Sequence, residues 1–104
     1  MERLIQKRGV TLIVHIPAEV DHCFTDMVRE EVDRRLQTED IERLEFDFRN
    51  TEFMDSSGIG LLMGRYKLMK ALGGEVKITN AGERIHKILV LSGIHKIIPI
   101  EKES

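Results

Sequence analysis

The sequence predicts a single α/β domain, built as a mixed β-sheet of four to five strands covered by helices. Segments with strand-like apolar patterns alternate with segments that have helical apolar spacing, in the order β-β-α-β-α-β-α-β. No linker, repeat or low-complexity stretch divides residues 1–104. Strands separated by helices require crossover connections, and such connections place helices against a sheet.

Three strands are predicted in the first half of the chain. Residues 4–8 and 10–16 flank a turn at Gly9, and the second segment is rich in β-branched residues and stops at Pro17. Residues 44–48 alternate apolar and acidic side chains, which is typical of a strand with one buried face. The first two segments therefore predict a hairpin, and the third predicts a strand reached through a helix.

The first helix lies between these strands. Thr25 or Asp26 is predicted to cap it, because short polar side chains can accept hydrogen bonds from the first turn. Apolar residues then recur at helical spacing with charged residues between them. These apolar residues are Met27, Val28, Val32 and Leu36.

The second half of the chain predicts two more helices and two more strands. Residues 57–72 carry the longest helical pattern, and the β-branched segment 75–79 follows as a strand. Residues 82–91 are helical and stop at Gly93, a typical C-terminal stop. The apolar pair at 97–98 predicts a last short strand.

The composition excludes several classes of function. The formal net charge of −2 gives no basic surface for nucleic acid or an anionic membrane. With no Trp and only one Tyr and four Phe, a base-stacking surface is not expected. The single Cys23 cannot form an internal disulfide, and no run approaches the roughly 20 apolar residues of a membrane span. A cytoplasmic protein is expected.

The helix at 57–72 has two apolar stripes at about 100° per residue. The stripe predicted to face the core consists of Ile59, Leu62, Met63, Tyr66 and Met69. The second stripe lies nearly opposite and is predicted to face solvent. It consists of Ser57, Leu61, Gly64 and Leu68.

Two glycines inside this helix need an explanation. Gly60 and Gly64 each cost roughly 1 kcal/mol relative to Ala in a helix interior. Either they pack closely against the domain's own sheet or loops, or they allow the backbone of a partner to approach. The sequence leaves both explanations open.

Ser57 stands where a serine commonly caps a helix. It also stands where a phosphate would meet backbone N–H groups and the positive end of the helix dipole. Phosphorylation would add roughly −1.5 to −2 charges beside Asp55 and repel a partner seated there. The segment therefore predicts either a plain cap or a switch that changes binding and leaves the fold intact.

The residues at 53–60 (FMDSSGIG), 64–67 (GRYK) and 73–74 (GG) together resemble the STAS-domain anti-sigma factor antagonists, in particular the sporulation type. Asp21 and His22 before the first helix and the segment at 91–98 (LSGIHKII) extend the resemblance to almost the whole chain. At residues 18–24 (AEVDHCF) the chain departs from the family pattern, with Cys23 and Phe24 replacing a histidine and a threonine.

The resemblance implies a cycle of partner switching. The unphosphorylated antagonist binds an anti-sigma factor that is also a serine kinase, and this frees the sigma factor. The kinase then phosphorylates the second serine of the motif, here Ser57, and a PP2C-type phosphatase resets the protein. No cofactor, metal or catalytic residue is expected. The residues expected to contact the partner are Asp21, His22, Asp55, Ser56, Gly58, Gly60, Leu61, Gly64 and Leu68.

Other functions fit the sequence less well. The spacing of Gly58, Gly60 and Gly64 differs from a dinucleotide-binding loop, and no phosphate-binding P-loop motif occurs. Ser57 as a hydrolytic nucleophile lacks a G-x-S-x-G context. A role as a STAS-domain scaffold in a general stress signalling complex keeps the same fold and remains an alternative.

Overall fold

The computed structural model describes residues 4–102, which form three α-helices, seven strands and a short 3₁₀-helix. The strands are β1 (Ile5–Arg8), β2 (Thr11–His15), β3 (Glu19–Val20), β4 (Arg43–Asp47), β5 (Phe53–Met54), β6 (Glu75–Thr79) and β7 (Ile100–Glu101). The helices are α1 (His22–Thr38), α2 (Ser56–Ala71) and α3 (Glu83–Ser92), and the 3₁₀-helix is Ile94–Lys96. The predicted element order is present, with β3 and β5 as additions.

Five strands within residues 4–102 form a mixed sheet in the order β1-β2-β4-β6-β7. β1 and β2 are antiparallel around Gly9, whose φ of 60° suits a tight turn, and the other neighbours are parallel. This confirms the predicted fold class, a mixed sheet of four to five strands covered by helices. β3 and β5 pair separately in a parallel two-stranded ladder.

The sheet packs its apolar face against the helices. Each crossover from β2 to β4, β6 and β7 advances in the same direction along the sheet, so right-handed connections put the three helices on one face. None of the helices within residues 4–102 is long and apolar enough to cross a membrane. The core between sheet and helices includes Leu12, Val14, Leu44, Phe46, Ile78, Val28, Val32, Leu62, Met69, Ile85 and Leu89.

Helix α1 begins earlier than the sequence indicated. Its N-cap is Asp21, whose carboxylate accepts a hydrogen bond from the Phe24 N–H at 3.0 Å. Thr25 does not cap the helix; it is buried and donates to the carbonyl of His22 at 3.1 Å. Of the apolar residues at helical spacing, Val28, Val32 and Leu36 are buried, whereas Met27 is 53% exposed. The sequence places several capping residues close together, and only the three-dimensional position of Asp21 selects it.

Helix α2 buries only part of the stripe predicted to face the core, in which Leu62 and Met69 are fully buried as predicted. Ile59, Met63 and Tyr66 are only partly buried, whereas Leu61, with 5% of its surface exposed, belongs to the core. The prediction that Leu61 faces solvent is therefore wrong. At about 100° per residue the buried side is rotated by roughly 80° from the predicted stripe. The rotation arises because α1 packs against the flank of α2 that carries Leu61 and Arg65.

The C-terminal strand also differs from the prediction. Ile97 ends the 3₁₀-helix and Ile98 is fully buried, so residues 97–98 anchor a turn and are not a strand. The Ile98 N–H donates to the Ile94 carbonyl at 2.9 Å, which occupies the backbone group that a strand would use. The strand follows at Ile100–Glu101, after Pro99, and pairs with β6.

Glu45 in β4 departs from the alternation that predicted this strand. It lies on the sheet face away from the helices but is only 8% exposed. Thr79 Oγ1 donates to its carboxylate at 3.0 Å, and Lys77 Nζ lies 3.8 Å from the same group. A buried carboxylate needs such partners. The prediction of a single buried face is therefore wrong at this position.

Candidate functional site

The short β3–β5 ladder brings the starts of α1 and α2 together. Glu19 pairs with Phe53 and Val20 with Met54, one or two residues before the two helix caps. The Asp55 N–H donates to the Val20 carbonyl at 3.3 Å and extends the ladder to the second cap. The two segments that the sequence singled out, around residues 21–22 and 55–57, are therefore neighbours at the carboxyl edge of the parallel strands.

Asp55, not Ser57, caps helix α2. Its Oδ1 accepts hydrogen bonds from the Ser57 N–H at 2.9 Å and from the Ser57 hydroxyl. The hydrogen bond from the Ser57 side chain is the largest cause that lowers the pKa of Asp55, with smaller contributions from the N–H groups of Ser57 and Gly58 and from His22. Ser57 occupies the second position of the helix, and the residue that caps the helix is Asp55.

The first turn of α2 has fewer free backbone N–H groups for a phosphate on Ser57 than the sequence indicated. The Ser57 N–H is taken by the Asp55 carboxylate, and the Gly58 N–H donates to the Asp55 carbonyl at 3.0 Å. A phosphate on Ser57 would have to displace the carboxylate or turn away from it. Like charges this close repel, so turning outward is the cheaper arrangement.

An open groove with a volume of about 300 Å³ runs between the N-terminal halves of α1 and α2. It provides the space into which a group on Ser57 can extend. Both polar and apolar side chains line it. The lining residues are His22, Thr25, Asp26, Arg29, Ser57, Gly60, Leu61 and Arg65.

Arg65 and Asp33 join α2 to α1 at the far end of this groove. Arg65 Nε lies 2.9 Å from Asp33 Oδ1, and the Arg65 side chain is only 10% exposed. Burial lowers the pKa of Arg65, and the charge of Asp33 opposes that shift. Arg65 therefore holds the two helices together within the chain and is not exposed for pairing with an acidic group of a partner.

The glycines of α2 separate into two kinds. A Cβ at Gly58 would run into the Met54 side chain, so the domain's own packing requires this glycine. A Cβ at Gly60 or Gly64 would meet no heavy atom of another part of residues 4–102 within 4 Å. Packing within the domain therefore explains why a glycine is needed at Gly58. It does not explain Gly60 and Gly64, where the surface of the helix is open.

The predicted partner-contacting residues fall into two groups. Asp21, His22, Ser56 and Gly60 are exposed, and Asp55, Gly64 and Leu68 are partly buried beside them. Gly58 and Leu61 are buried, so they shape this surface from beneath. Sequence reasoning missed Phe53, which is 55% exposed just before Asp55. Its place inside the recognised motif was the only signal for it, because a two-residue strand has no apolar period.

A larger concavity lies on the sheet face away from the helices, with a volume of about 590 Å³. Its side chains bond to one another: His15 Nε2 lies 2.6 Å from Gln6 Oε1, and His15 Nδ1 lies 3.3 Å from the carboxylate of Asp47. Asn80 donates to the same carboxylate at 3.3 Å. This surface is a solvated sheet face with cross-strand pairs. Among residues 4–102, no cluster of three or more His, Cys, Asp or Glu is arranged to hold a metal.

The fold and this site define a small α/β domain with a serine in the first turn of a helix. Residues 3–104 match the STAS domain family, and the chain belongs to that family. The anti-sigma F factor antagonist of Paenibacillus polymyxa is 43% identical over 93 residues, which cover 89% of this chain and 79% of that protein. The anti-sigma-B factor antagonist of Bacillus subtilis (strain 168) is 32% identical over 92 residues, which cover 88% and 82%.

Solved structures agree with this assignment at the level of the fold. The anti-sigma factor antagonist SpoIIAA in its unphosphorylated form superposes with a TM-score of 0.88 at 22% identity, covering 96% of this chain and 86% of that one. Its phosphorylated form gives a TM-score of 0.80. The predicted family is confirmed. The relatives are regulatory proteins, which agrees with the prediction of a binding regulator and not an enzyme.

Proposed function

We propose that this protein is an anti-sigma factor antagonist whose binding is switched off by phosphorylation of Ser57. The observation that carries the proposal is the position of Ser57. It lies in the first turn of α2, partly exposed, with its hydroxyl held by Asp55 and with a groove in front of it. The relatives named above act on anti-sigma factors, and this supports the same class of partner.

The surface around Ser57 fits a partner that approaches closely. His22 lies on one side of the groove, and the open helix surface over Gly60 and Gly64 lies along the other. Two glycines without an internal packing role are consistent with a partner backbone resting on the helix. A phosphate at Ser57 would bring roughly −1.5 to −2 charges to the edge of that contact.

The partner in this proposal is an anti-sigma factor that is itself a serine kinase, and a PP2C-type phosphatase restores the bound state. The proposal takes a sporulation partner because the chain is 43% identical to the sigma F antagonist of Paenibacillus polymyxa. Identity to the two types overlaps, since the sigma B antagonist of Bacillus subtilis is 32% identical and the sigma F antagonist of Lysinibacillus sphaericus is 25% identical. SpoIIAA has this fold in both its unphosphorylated and its phosphorylated form, which supports a switch that leaves the fold in place. The site of action is the cytoplasm, where sigma factors work.

Incubation with the purified anti-sigma F factor of the same organism and ATP tests the proposal. Intact mass should show one added phosphate on the wild type and none on Ser57→Ala. Ser56→Ala is the matched control, because Ser56 is the exposed neighbour in the same turn and should leave phosphorylation intact. If Ser57→Ala gained a phosphate and Ser56→Ala did not, Ser56 would be the acceptor and the proposal would be wrong.

Binding measurements on Ser57 variants distinguish a hydroxyl that contacts the anti-sigma factor directly from one that serves only as the phosphate acceptor. Ser57→Ala should bind the anti-sigma factor within about threefold of wild type, because Asp55 still caps the helix through the Ser57 N–H. Ser57→Asp should bind at least about tenfold more weakly, since it places a carboxylate beside Asp55. If Ser57→Ala lost binding altogether, the hydroxyl would be a direct contact and the proposed switch would be wrong.

A further inference from the structure

We propose that Asp55 takes part in the phosphorylation of Ser57: its carboxylate orients the Ser57 hydroxyl and accepts the hydroxyl proton when Oγ attacks the phosphate. This rests on the proposed function, because it concerns phosphoryl transfer to Ser57. The antagonist would then supply one group of the phosphoryl-transfer site, and the kinase and its nucleoside triphosphate would supply the rest.

The geometry fixes the nucleophile. A serine hydroxyl rotates freely unless an acceptor holds it. Here Asp55 Oδ1 accepts both from the Ser57 hydroxyl and, at 2.9 Å, from the Ser57 N–H, so the same oxygen holds backbone and side chain. With its hydrogen directed at Asp55, Oγ keeps its lone pairs for attack from the groove that Ser57 lines. Phosphoryl transfer depends mainly on such positioning.

The proton has a defined route. The bond from Ser57 Oγ to the terminal phosphorus of the nucleoside triphosphate forms, the bond from that phosphorus to the bridging oxygen breaks, and the nucleoside diphosphate leaves. The hydroxyl proton passes to Asp55 Oδ1 and then to water, since Asp55 is only partly buried. Asp55 has a pKa below the usual range and is a weak base, so it receives the proton late, as Oγ becomes acidic on bonding to phosphorus.

The same contact also acts on the phosphorylated product. Once Oγ carries the phosphoryl group it has no hydrogen to donate, and the Asp55 carboxylate faces a dianion. The phosphate is then driven away from Asp55 into the groove between α1 and α2. One residue therefore prepares the acceptor before the reaction and displaces the product group toward the partner surface after it.

The test is steady-state phosphorylation by the anti-sigma factor kinase at saturating ATP, with the antagonist as the varied substrate. Asp55→Asn keeps an oxygen that accepts from the Ser57 N–H but cannot take a proton. Its kcat should fall about tenfold or more, with KM within about threefold. Asp40→Ala, which removes an exposed carboxylate in the loop before β4, is the control and should keep both constants.

A second readout covers the case in which Asp55→Asn folds less well. Asp55→Ala leaves room for a small carboxylate, so formate should restore kcat in a concentration-dependent manner, while chloride at equal ionic strength should not. A kcat of Asp55→Asn within fivefold of wild type, a fall confined to KM, or no rescue by formate overturns the inference. Failure of the wild type to bind or accept phosphate overturns the proposed function itself.

Discussion

Asp55 has several functions at this site, all of them performed by its one carboxylate. It caps α2, fixes the Ser57 hydroxyl and stands beside the charge that phosphorylation would add. The sequence pointed to Ser57 as the cap because serine is a common capping residue. In the structure the cap is Asp55, two positions earlier, so the helix does not need the Ser57 hydroxyl as its cap.

The pH dependence of folding tests this function of Asp55. Because the pKa of Asp55 is lower in the folded state than its ordinary value of 3.8, its ionised form stabilises the fold above that value. The contribution is lost as pH falls through the folded-state pKa. Asp55→Ala should therefore unfold at lower urea concentration than wild type at about pH 7 and approach wild type as pH falls through the lowered folded-state pKa of Asp55.

The control for this measurement is Asp40→Ala, which removes an exposed carboxylate in the loop before β4. It should change the urea midpoint little at either pH, because surface substitutions away from caps are usually within about 0.5 kcal/mol. A deficit of Asp55→Ala that is equally large at low pH would show that the lost stability does not come from the carboxylate.

Among the elements, helix α2 shows what a sequence pattern can and cannot give. Its length and its stop at the glycines after residue 72 follow from local rules, and Gly73 adopts a φ of 81° as such a stop requires. Its buried side does not follow, because α1 covers the flank with Leu61 and draws in the long side chain of Arg65. A helical period cannot show on which flank a neighbouring helix packs.

The glycines of α2 give a prediction at the scale of the element. Gly60→Ala and Gly64→Ala should each stabilise the free protein by up to about 1 kcal/mol, because Ala is the better helix former and a Cβ there meets open space. Both should weaken binding of the anti-sigma factor if its backbone rests on this face. Urea unfolding and a binding titration on the same variants measure the two effects.

Gly58→Ala is the matched control in the same helix. It should destabilise the protein, because its Cβ would collide with the Met54 side chain. Opposite signs for Gly58→Ala and Gly60→Ala in stability would support the division into packing and surface glycines. Unchanged binding by both Gly60→Ala and Gly64→Ala would remove this face of α2 from the interface.

For the whole molecule, the order of strands and helices was accessible from the sequence, because long segments carry clear periods. The ladder of β3 and β5 was not, since two residues per strand have no period. Yet this ladder determines the site, because it sets the cap of α1 beside the cap of α2. The nearness of residues 21–22 to Ser57 was expected only through the family resemblance.

The charge that one phosphate adds is about as large as the net charge of the whole chain. The chain carries a formal charge of −2, so one phosphate of roughly −1.5 to −2 charges about doubles it and concentrates the addition at one groove. The fold has no need to change for this to matter, because a like charge at the edge of a contact is enough to weaken it. The proposed switch is therefore tested by comparing the affinities of the unphosphorylated and the phosphorylated protein for the anti-sigma factor.

That comparison is a calorimetric titration of the anti-sigma F factor into unphosphorylated protein and into protein phosphorylated on Ser57, without nucleotide turnover. We expect the phosphorylated form, still folded by circular dichroism, to bind at least about tenfold more weakly, equivalent to about 1.4 kcal/mol. Equal affinities within twofold would show that the phosphate does not control this contact, and the proposed switch would be wrong.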